Sequence, residues 1–407
     1  MKSAGVSVAL LIGTTAVSAF ATVNASAQRV TPARAATATA APHRNATSGL
    51  WSVRMSRAVM QRNPVIHEKW DYTAGLMLTA IDRVARSTKD SAFSSYVRRN
   101  MDRMIGDDGS IKTYRTEDYN LDQINQGRLL FSMYAETRAP RYKTAIETLR
   151  VQLKQQPRTS DGGFWHKKIY PQQMWLDGLY MAEPFYVMYA RAFNDTAAFT
   201  DATKQFLLLA LHTRDPQTGL YYHAWDAAHS QPWADSATGL SKNFWGRAVG
   251  WYLMSAMDVL DELPFTHPNR AALIEVTQDL ADAVARVQDP TTGLWFQVLD
   301  QPNRIGNYRE ASASSMFAYA FAKGARKGYL PAKFRTLANR AFDGLVRDLV
   351  KTGSDGLPSL TGVCSVAGLG GNVKRDGSFA YYISEPVVAD DYKGVGPFIM
   401  AALELDR

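Results

Sequence analysis

Apolar residues recur at helical spacing along the chain from about residue 48 to its end. Within 67–87, for example, Trp70, Met77, Ile81 and Val84 share one face of a helix with about 3.6 residues per turn. Long segments of alternating apolar and polar residues, which would indicate strands, are absent. The pattern predicts helices over 48–62, 67–87, 90–105, 119–136, 138–156, 174–193, 197–213, 243–262, 268–287, 309–327, 331–351 and 391–406.

Glycine-containing connectors separate most successive pairs of predicted helices. The glycines are Gly109, Gly163, Gly219, Gly293 and Gly356, and aromatic or aliphatic residues follow them closely. Because glycine permits the positive φ of a tight turn and aromatic residues favour strands, each connector is predicted to hold a turn and a short strand. The repetition of two helices and a turn-strand predicts a series of helical hairpins.

We expect about six such hairpins to close into an all-α (α/α)6 barrel, with short β turn-strands at the mouth of the active site. The barrel would form one catalytic domain over 48–407. An open solenoid is the alternative. Closure is favoured because the ends carry no polar capping repeats, and because the predicted inner helices begin with Trp, Tyr and His, which suit a central pocket.

The formal net charge of +8 comes from the N-terminal head of the chain. Seven Lys and Arg residues, and no acidic residue, precede Glu68, and the rest of the chain is close to neutral. A nucleic-acid surface needs concentrated positive charge on the folded body, so we expect no nucleic-acid partner.

The head has the pattern of an export signal. Lys2 precedes the small and apolar stretch 6–21, and 25–27 reads Ala-Ser-Ala, a cleavage site of the small-x-small type. We therefore expect a signal peptide over 1–27, a disordered linker over 28–47, and a bacterial protein that is periplasmic or secreted. No later stretch is apolar for long enough to span a bilayer, so we expect a soluble protein without a membrane partner.

Two aspartates stand out as candidates for acid-base chemistry. Asp122 follows Leu121 and Asp177 follows Trp175-Leu176, so both carboxyl groups have apolar neighbours. An apolar pocket raises the pKa of a carboxyl group, and two such groups facing one cavity raise the pKa of one of them by repulsion. Asp71 is explained more simply as a helix cap.

Other common chemistries lack their motifs. His166 and His223 are a whole repeat apart, without the short spacing of zinc ligands. The chain has no G-x-S-x-G, P-loop or dinucleotide-binding motif. Cys364 is the only cysteine, which excludes an internal disulfide and is typical of a small buried thiol. We expect neither a metal nor a cofactor, and the paired carboxylates with Trp and Tyr favour carbohydrate chemistry.

The chain resembles glycoside hydrolase family 105, the unsaturated rhamnogalacturonyl hydrolases, over about 48–407. The matching segments are Trp70-Asp71-Tyr72, Asp122-Gln123 with Gly127-Arg128, Asp161 to Lys167, Gln173 to Met181, His223-Ala224-Trp225-Asp226, Phe244-Trp245-Gly246-Arg247 with Gly250-Trp251, and the C-terminal run from Asp376 to Pro397. This resemblance implies an (α/α)6 barrel that removes a 4,5-unsaturated uronic acid from the non-reducing end of pectin-derived oligosaccharides. Such enzymes hydrate the C4=C5 double bond.

The resemblance also implies roles for individual residues. Asp177 would be the general acid/base, and Asp122 the second carboxylate, which positions substrate and water and keeps the pKa of Asp177 high. Arg247, with Lys167 or His166, would meet the substrate carboxylate, and Trp70 is a further candidate for stacking on a sugar. The sugar-binding positions that match the family are His166, Lys167, Trp175, His223, Trp245 and Arg247.

Three other functions remain open at this point. An unsaturated glucuronyl hydrolase would take glycosaminoglycan fragments instead of pectin fragments. An ordinary inverting glycosidase would use Asp122 and Asp177 as its acid and base. A non-catalytic protein would bind the sugar without turning it over.

Overall fold

A computed structural model describes residues 49–371 and 375–406. The predicted signal peptide and linker lie outside these residues, as does the start of the first predicted helix. None of the helices in the described ranges is long and apolar enough to cross a membrane. The helices are α1 (Trp51–Arg62), α2 (Tyr72–Thr88), α3 (Ser91–Asp102), α4 (Arg128–Thr137), α5 (Pro140–Gln155), α6 (Leu176–Phe193), α7 (Thr196–Thr213), α8 (Gly246–Glu262), α9 (Arg270–Arg286), α10 (Ala311–Lys327), α11 (Lys333–Gly344), α12 (Phe379–Ser384) and α13 (Tyr392–Leu405).

Six of these helices form a closed inner ring. In order around the ring they are α2, α4, α6, α8, α10 and α13, and α13 packs against both α10 and α2. The outer helices α1, α3, α5, α7, α9 and α11 each pack against members of this ring. The predicted (α/α)6 barrel is therefore confirmed, and the open solenoid is excluded because the first and last inner helices are in contact.

The inner helices approach one another closely because small residues line their contacts. A Cβ atom added to Gly75 of α2 would lie 2.8 Å from the Cα of Gln126, in the turn that leads into α4. One added to Gly250 of α8 would lie 2.8 Å from Met316 of α10. The first four turns of α10 are rich in Ala and Ser, and all residues from Ala311 to Gly324 are buried. Small side chains at many of its positions allow this close packing.

The connectors from each outer helix to the next inner helix lie at one end of the ring and carry the strands. β1 (Gln173–Trp175) directly precedes α6 and pairs antiparallel with β2 (Ala224–Asp226), which lies between α7 and α8. The other two-stranded sheets join β3 (Val350–Thr352) to β4 (Pro358–Leu360) and β5 (Val363–Cys364) to β6 (Val387–Val388).

The turn glycines follow the prediction with one exception. Gly109, Gly219, Gly293 and Gly356 all have positive φ, whereas in the second connector the residue with positive φ is Gly162, at 97°, and not Gly163.

Two predicted helices differ from the structure, and one observed helix was not predicted. The single helix predicted over 119–136 is split into 3-10 turns at Leu121–Gln123 and Asn125–Gly127, followed by α4. Asn and Gly are poor helix formers, and their presence in this stretch is consistent with the tighter turns. The helix predicted over 331–351 ends at Gly344, before a π-helical turn and β3. The short helix α12 is missing from the prediction.

Candidate active site

A cavity opens at the end of the ring where the inner helices begin. Helices α2, α6 and α8 contribute their first turns, and three connectors supply the remaining walls. The residues that line the cavity are Tyr72, Asp122, His166, Lys167, Tyr170, Trp175, Asp177, Met181, Trp245, Arg247, Trp251, Val366, Ala367, Gly368 and Arg375.

Asp122 lies beside a histidine because a backbone hydrogen bond joins two connectors. The N–H of Leu121 donates to the carbonyl of His166 at 3.1 Å. Oδ1 of Asp122 then lies 3.2 Å from Nε2 of His166, and Oδ2 lies 2.5 Å from Nζ of Lys167. Both oxygens of this carboxylate therefore have cationic or polar partners.

These partners set the charge of Asp122. Burial raises its pKa, but the charges and hydrogen bonds of Lys167 and His166 outweigh burial and hold the pKa well below its ordinary value. The expectation that Asp122 lies in an apolar pocket with a raised pKa is therefore wrong. Its sequence neighbours are apolar, but its spatial neighbours come from another connector.

Asp177 is positioned in a similar way at the start of α6. The N–H of Leu176 donates to the carbonyl of His223 at 3.1 Å, which ties the helix to the next connector. Oδ2 of Asp177 lies 3.1 Å from Nε2 of His223, and the Asp177 side chain is 14% exposed, on the cavity side. Among the residues that the structure describes, Asp177 therefore has one histidine neighbour and no cation as close as the one beside Asp122.

Gly178 allows the connector to reach this helix. A Cβ atom at this position would lie 3.1 Å from Nδ1 of His166 and 3.2 Å from a methyl group of Leu121. Because residue 178 has no side chain, Leu121 and His166 can pack against the first turn of α6. Asp122 and Asp177 are therefore held on neighbouring segments.

Trp175 forms part of the wall and is largely covered by other rings. Its indole stacks on His166 with ring centroids 4.7 Å apart and an interplanar angle of 8°, and on Tyr170 at 4.9 Å and 16°. It is only 6% exposed. Its contacts fix the orientation of the histidine ring that faces Asp122, while Tyr170 remains more accessible.

Arg247 carries unpaired donors into the cavity. Its side chain is 1% exposed, Nη2 donates to the carbonyl of Cys364, and the same nitrogen lies 3.9 Å from Oε1 of Glu310. Nε and Nη1 have no hydrogen-bond partner among the described residues. A buried guanidinium with free donors is suited to bind an anion, and a carboxylate matches its planar geometry.

The structure brings most of the predicted site residues together. Seven of them line the cavity: Asp122, Asp177, His166, Lys167, Trp175, Trp245 and Arg247. His223 is completely buried behind Asp177 and is not part of the cavity lining. Trp70 is also outside it, since it is buried and its Nε1 donates to the carbonyl of Gln123 at 2.6 Å. Asp71 caps α2 as expected, because its carboxylate accepts from the N–H of Thr73.

Several lining residues are missing from the predicted set. Tyr72 and Trp251 lie within the segments that resemble the family, so the sequence did contain a signal for them. Tyr170, Arg375 and 366–368 lie in connectors without a periodic pattern, and only the fold brings them to the cavity. Within the ranges that the structure describes, no group of three or more His, Cys, Asp or Glu side chains could hold a metal ion.

A ring of helical hairpins with two acidic side chains at its mouth defines a glycoside hydrolase of the six-hairpin type. The sequence model of Glycosyl Hydrolase Family 88 matches residues 51–407, and the chain belongs to this family. The resemblance to family 105 is confirmed by a solved structure of a C. acetobutylicum ATCC 824 glycoside hydrolase from that family. The two share 44% identity and a TM-score of 0.85, over 88% of this chain and 99% of the other.

Two further proteins resemble this chain. An unsaturated rhamnogalacturonyl hydrolase, YesR, of Bacillus subtilis is 28% identical over 62% of this chain and 70% of its own length. The solved unsaturated glucuronyl hydrolase of Bacillus sp. GL1 is 14% identical, with a TM-score of 0.65 over 89% of this chain and 96% of its own. At that identity the likeness concerns the fold alone. The chain is therefore a glycoside hydrolase of the family 88 and 105 group.

Proposed function

We propose that this enzyme removes a 4,5-unsaturated uronic acid from the non-reducing end of rhamnogalacturonan-type oligosaccharides by hydrating the C4=C5 double bond. The observation that carries the proposal is the pair formed by Asp177 and the unpaired Arg247 guanidinium on one small cavity. This pair provides a proton donor and a carboxylate-binding group for the same sugar ring. The name of the Bacillus subtilis relative supports the choice of glycan.

The reaction needs one group that first gives and then takes a proton. Asp177 in its acid form would protonate C4, and the π electrons of the double bond would form the new C–H bond. The positive charge that develops at C5 is shared with the ring oxygen. Water would then add to C5 and lose a proton to the Asp177 carboxylate, which restores the acid.

The hydrated sugar then falls apart without further help. The hemiketal at C5 opens by breaking the bond between C5 and the ring oxygen, which gives a ketone. The ring oxygen remains on C1 as a hydroxyl group, and the hemiacetal formed there expels the rest of the oligosaccharide. The glycosidic bond is thus broken although no residue attacks the anomeric carbon.

Asp122 would act as an ionised group throughout. Because Lys167 and His166 keep its pKa low, it accepts hydrogen bonds from substrate hydroxyls or from the attacking water and does not serve as an acid.

Arg247 would bind the carboxylate of the unsaturated sugar. Nε and Nη1 of Arg247 have no hydrogen-bond partner among the described residues. Both could donate to the substrate carboxylate, which would then satisfy these buried donors. Lys167 is already held by Asp122 at 2.5 Å, which favours Arg247 for this role.

The substrate is tested with a panel of unsaturated disaccharides made by different lyases. The double bond absorbs ultraviolet light, so hydration is followed as a loss of absorbance. We expect the highest kcat/KM with rhamnose next to the unsaturated sugar. A higher kcat/KM for glycosaminoglycan disaccharides would assign the enzyme to glucuronyl substrates, and no loss with any disaccharide would overturn hydration itself.

The N-terminal pattern supports export of this enzyme to the periplasm or the medium. If residues 1–27 are a signal peptide, the protein recovered outside the cytoplasm should begin at Gln28. N-terminal sequencing of that protein tests this, and an intact Met1 in the exported fraction would contradict it.

A further inference from the structure

Tyr382 lies on α12, and its side chain is completely buried. Its hydroxyl oxygen is 2.8 Å from Nδ1 of His223. Nε2 of the same imidazole ring is 3.1 Å from Oδ2 of Asp177. The three side chains therefore form a continuous line from α12 to the cavity, in which His223 joins the phenol to the carboxyl group.

The order of hydrogens along this line follows from the donors available. Among the described residues, the only hydrogen bond of the Tyr382 hydroxyl is the one to His223. Burial raises the pKa of Tyr382 well above its ordinary value, so the phenol keeps its hydrogen and can donate it. If Nδ1 accepts this hydrogen, a neutral His223 carries its own hydrogen on Nε2, facing Asp177.

The opposite tautomer is disfavoured when Asp177 is ionised. It would place the lone pair of Nε2 toward a carboxylate oxygen 3.1 Å away, and it would leave the phenol hydrogen without an acceptor. In the free enzyme, Nε2 of His223 and Oδ2 of Asp177 are close but not aligned as a hydrogen bond. A rotation of the carboxyl group on substrate binding would align them, since catalytic hydrogen bonds in many sites tighten only once substrate is bound.

Two neighbouring side chains hold this arrangement in place. The Trp245 ring lies against both His223 and Tyr382, with centroids 4.8 Å and 6.0 Å away. Gln297 accepts from Nε1 of Trp245 at 3.1 Å and donates to the carbonyl of Tyr382 at 3.0 Å. The phenol, the indole and the imidazole are therefore fixed relative to one another, and His223 has little freedom to turn.

We propose that Tyr382 is a positioning residue for Asp177, because it fixes His223 in the tautomer that presents a hydrogen to Oδ2. This hydrogen would stabilise the carboxylate that Asp177 forms on giving its proton to C4, and it would leave Oδ1 for the substrate. Such an interaction is strongest as the proton leaves, so it lowers the barrier more than it improves substrate binding. The inference rests on the proposed function of Asp177.

Tyr382→Phe tests this role with little change in shape, since only a hydroxyl group is removed. We expect kcat to fall about tenfold, as for the loss of one hydrogen bond, with KM changed less than about twofold. Tyr252→Phe is the matched control, because that hydroxyl is also buried and donates to the carbonyl of Phe206, away from the cavity. A folded Tyr382→Phe enzyme with the kcat of the control would overturn the proposal.

The tautomer of His223 provides a readout that needs no substrate. Nitrogen-15 NMR of histidine-labelled enzyme, with the signals of His223 assigned by their loss in His223→Gln, should show Nε2 protonated in the wild type. Tyr382→Phe should shift hydrogen toward Nδ1. Protonation on Nδ1 in the wild type would overturn the proposal even if the variant failed to fold. Failure of the disaccharide assay would overturn the proposed function and leave the tautomer result intact.

Discussion

Two aspartates with similar apolar sequence neighbours have different partners in the folded chain. Asp122 contacts Lys167 and His166, whereas Asp177 contacts His223, which is hydrogen-bonded to a phenol. One carboxylate is therefore stabilised by a lysine, and the other has no cation so close within 49–371 and 375–406. Separate electrostatic settings of this kind allow two identical side chains to take different roles.

Asp177→Asn should abolish turnover and retain binding. The amide keeps the shape of the side chain but cannot deliver the proton to C4, so kcat should fall by about 10²- to 10⁴-fold. The absorbance assay measures kcat, and calorimetry measures binding of the disaccharide. Asp107→Asn, at a fully exposed carboxylate, is the control, and retention of full activity in Asp177→Asn would remove this residue from the mechanism.

Arg247→Met should weaken binding of substrates that carry a free carboxylate. Loss of charged hydrogen bonds should raise KM by about 10- to 100-fold. Methyl esters of the same substrates should be affected much less, because they lack the negative charge. Arg99→Met, at an exposed position, should change neither value. An equal loss for ester and acid would show that Arg247 does not bind the carboxylate.

Asp122→Asn should change stability in a pH-dependent way. The folded chain holds the pKa of this carboxyl group below its ordinary value, so its ionised form stabilises the fold above about pH 4. This contribution is lost as the pH falls, because the unfolded chain takes up the proton first. We expect the variant to be less stable by roughly 2 kcal/mol at pH 7 and the difference to shrink below pH 4.

Urea denaturation at several pH values measures this difference. Asp107→Asn again serves as the control, because its carboxylate is fully exposed. A stability difference between Asp122→Asn and the wild type that stays constant from pH 7 to pH 3 would contradict the assigned ionisation of Asp122.

At the scale of elements, the ring depends on glycines at helix contacts and on backbone hydrogen bonds between connectors. The 3-10 turn Leu121–Gln123 and the start of α6 are each joined to another connector by one such bond. These two bonds bring each carboxylate to its histidine. The elements with regular structure therefore build the barrel, and the irregular ones assemble the site.

Gly75→Ala should destabilise the fold. The added methyl group would lie 2.8 Å from the Cα of Gln126, where backbone must move. We expect a loss of at least about 1 kcal/mol, although alanine is the better helix former. Gly49→Ala is the control, since a methyl group there meets no atom within 4 Å. Equal urea midpoints for the two variants would show that α2 and the 3-10 turn Asn125–Gly127 can move apart freely.

The sequence predicted the elements with regular periodicity better than the others. All of the inner and outer helices except α4 and α11 follow the predicted segments closely, because their buried faces repeat every three to four residues. The 3-10 turns before α4 and the short helix α12 carry no such repeat. The motif residues of the cavity could be predicted because they lie in segments that resemble the family, whereas Arg375 and the role of Tyr382 could not.

At the scale of the whole molecule, a buried cluster of charged side chains connects the inner helices away from the cavity. Asp258 of α8 lies 2.8 Å from Arg83 of α2, 2.6 Å from Arg128 of α4 and 2.7 Å from Lys323 of α10. Burial raises the pKa of Asp258, but these three cations outweigh it and hold the pKa well below the ordinary value. One buried carboxylate thus connects four inner helices.

Asp258→Asn should destabilise the barrel and spare the chemistry. Three buried or partly buried cations would lose their counter-ion, which is expected to cost about 3–5 kcal/mol. Urea denaturation measures the loss, and kcat per folded molecule at low temperature should remain close to that of the wild type. A large fall in kcat without loss of stability would contradict the separation between this cluster and the active site.

The central claim is that the enzyme breaks the glycosidic bond by hydrating C4=C5. The most direct test compares the loss of ultraviolet absorbance with the release of the neighbouring sugar from one unsaturated disaccharide. Hydration predicts that one double bond disappears for each sugar released, and that Asp177→Asn stops both together. Release of the sugar while the absorbance persists would show attack at the anomeric carbon and contradict this account.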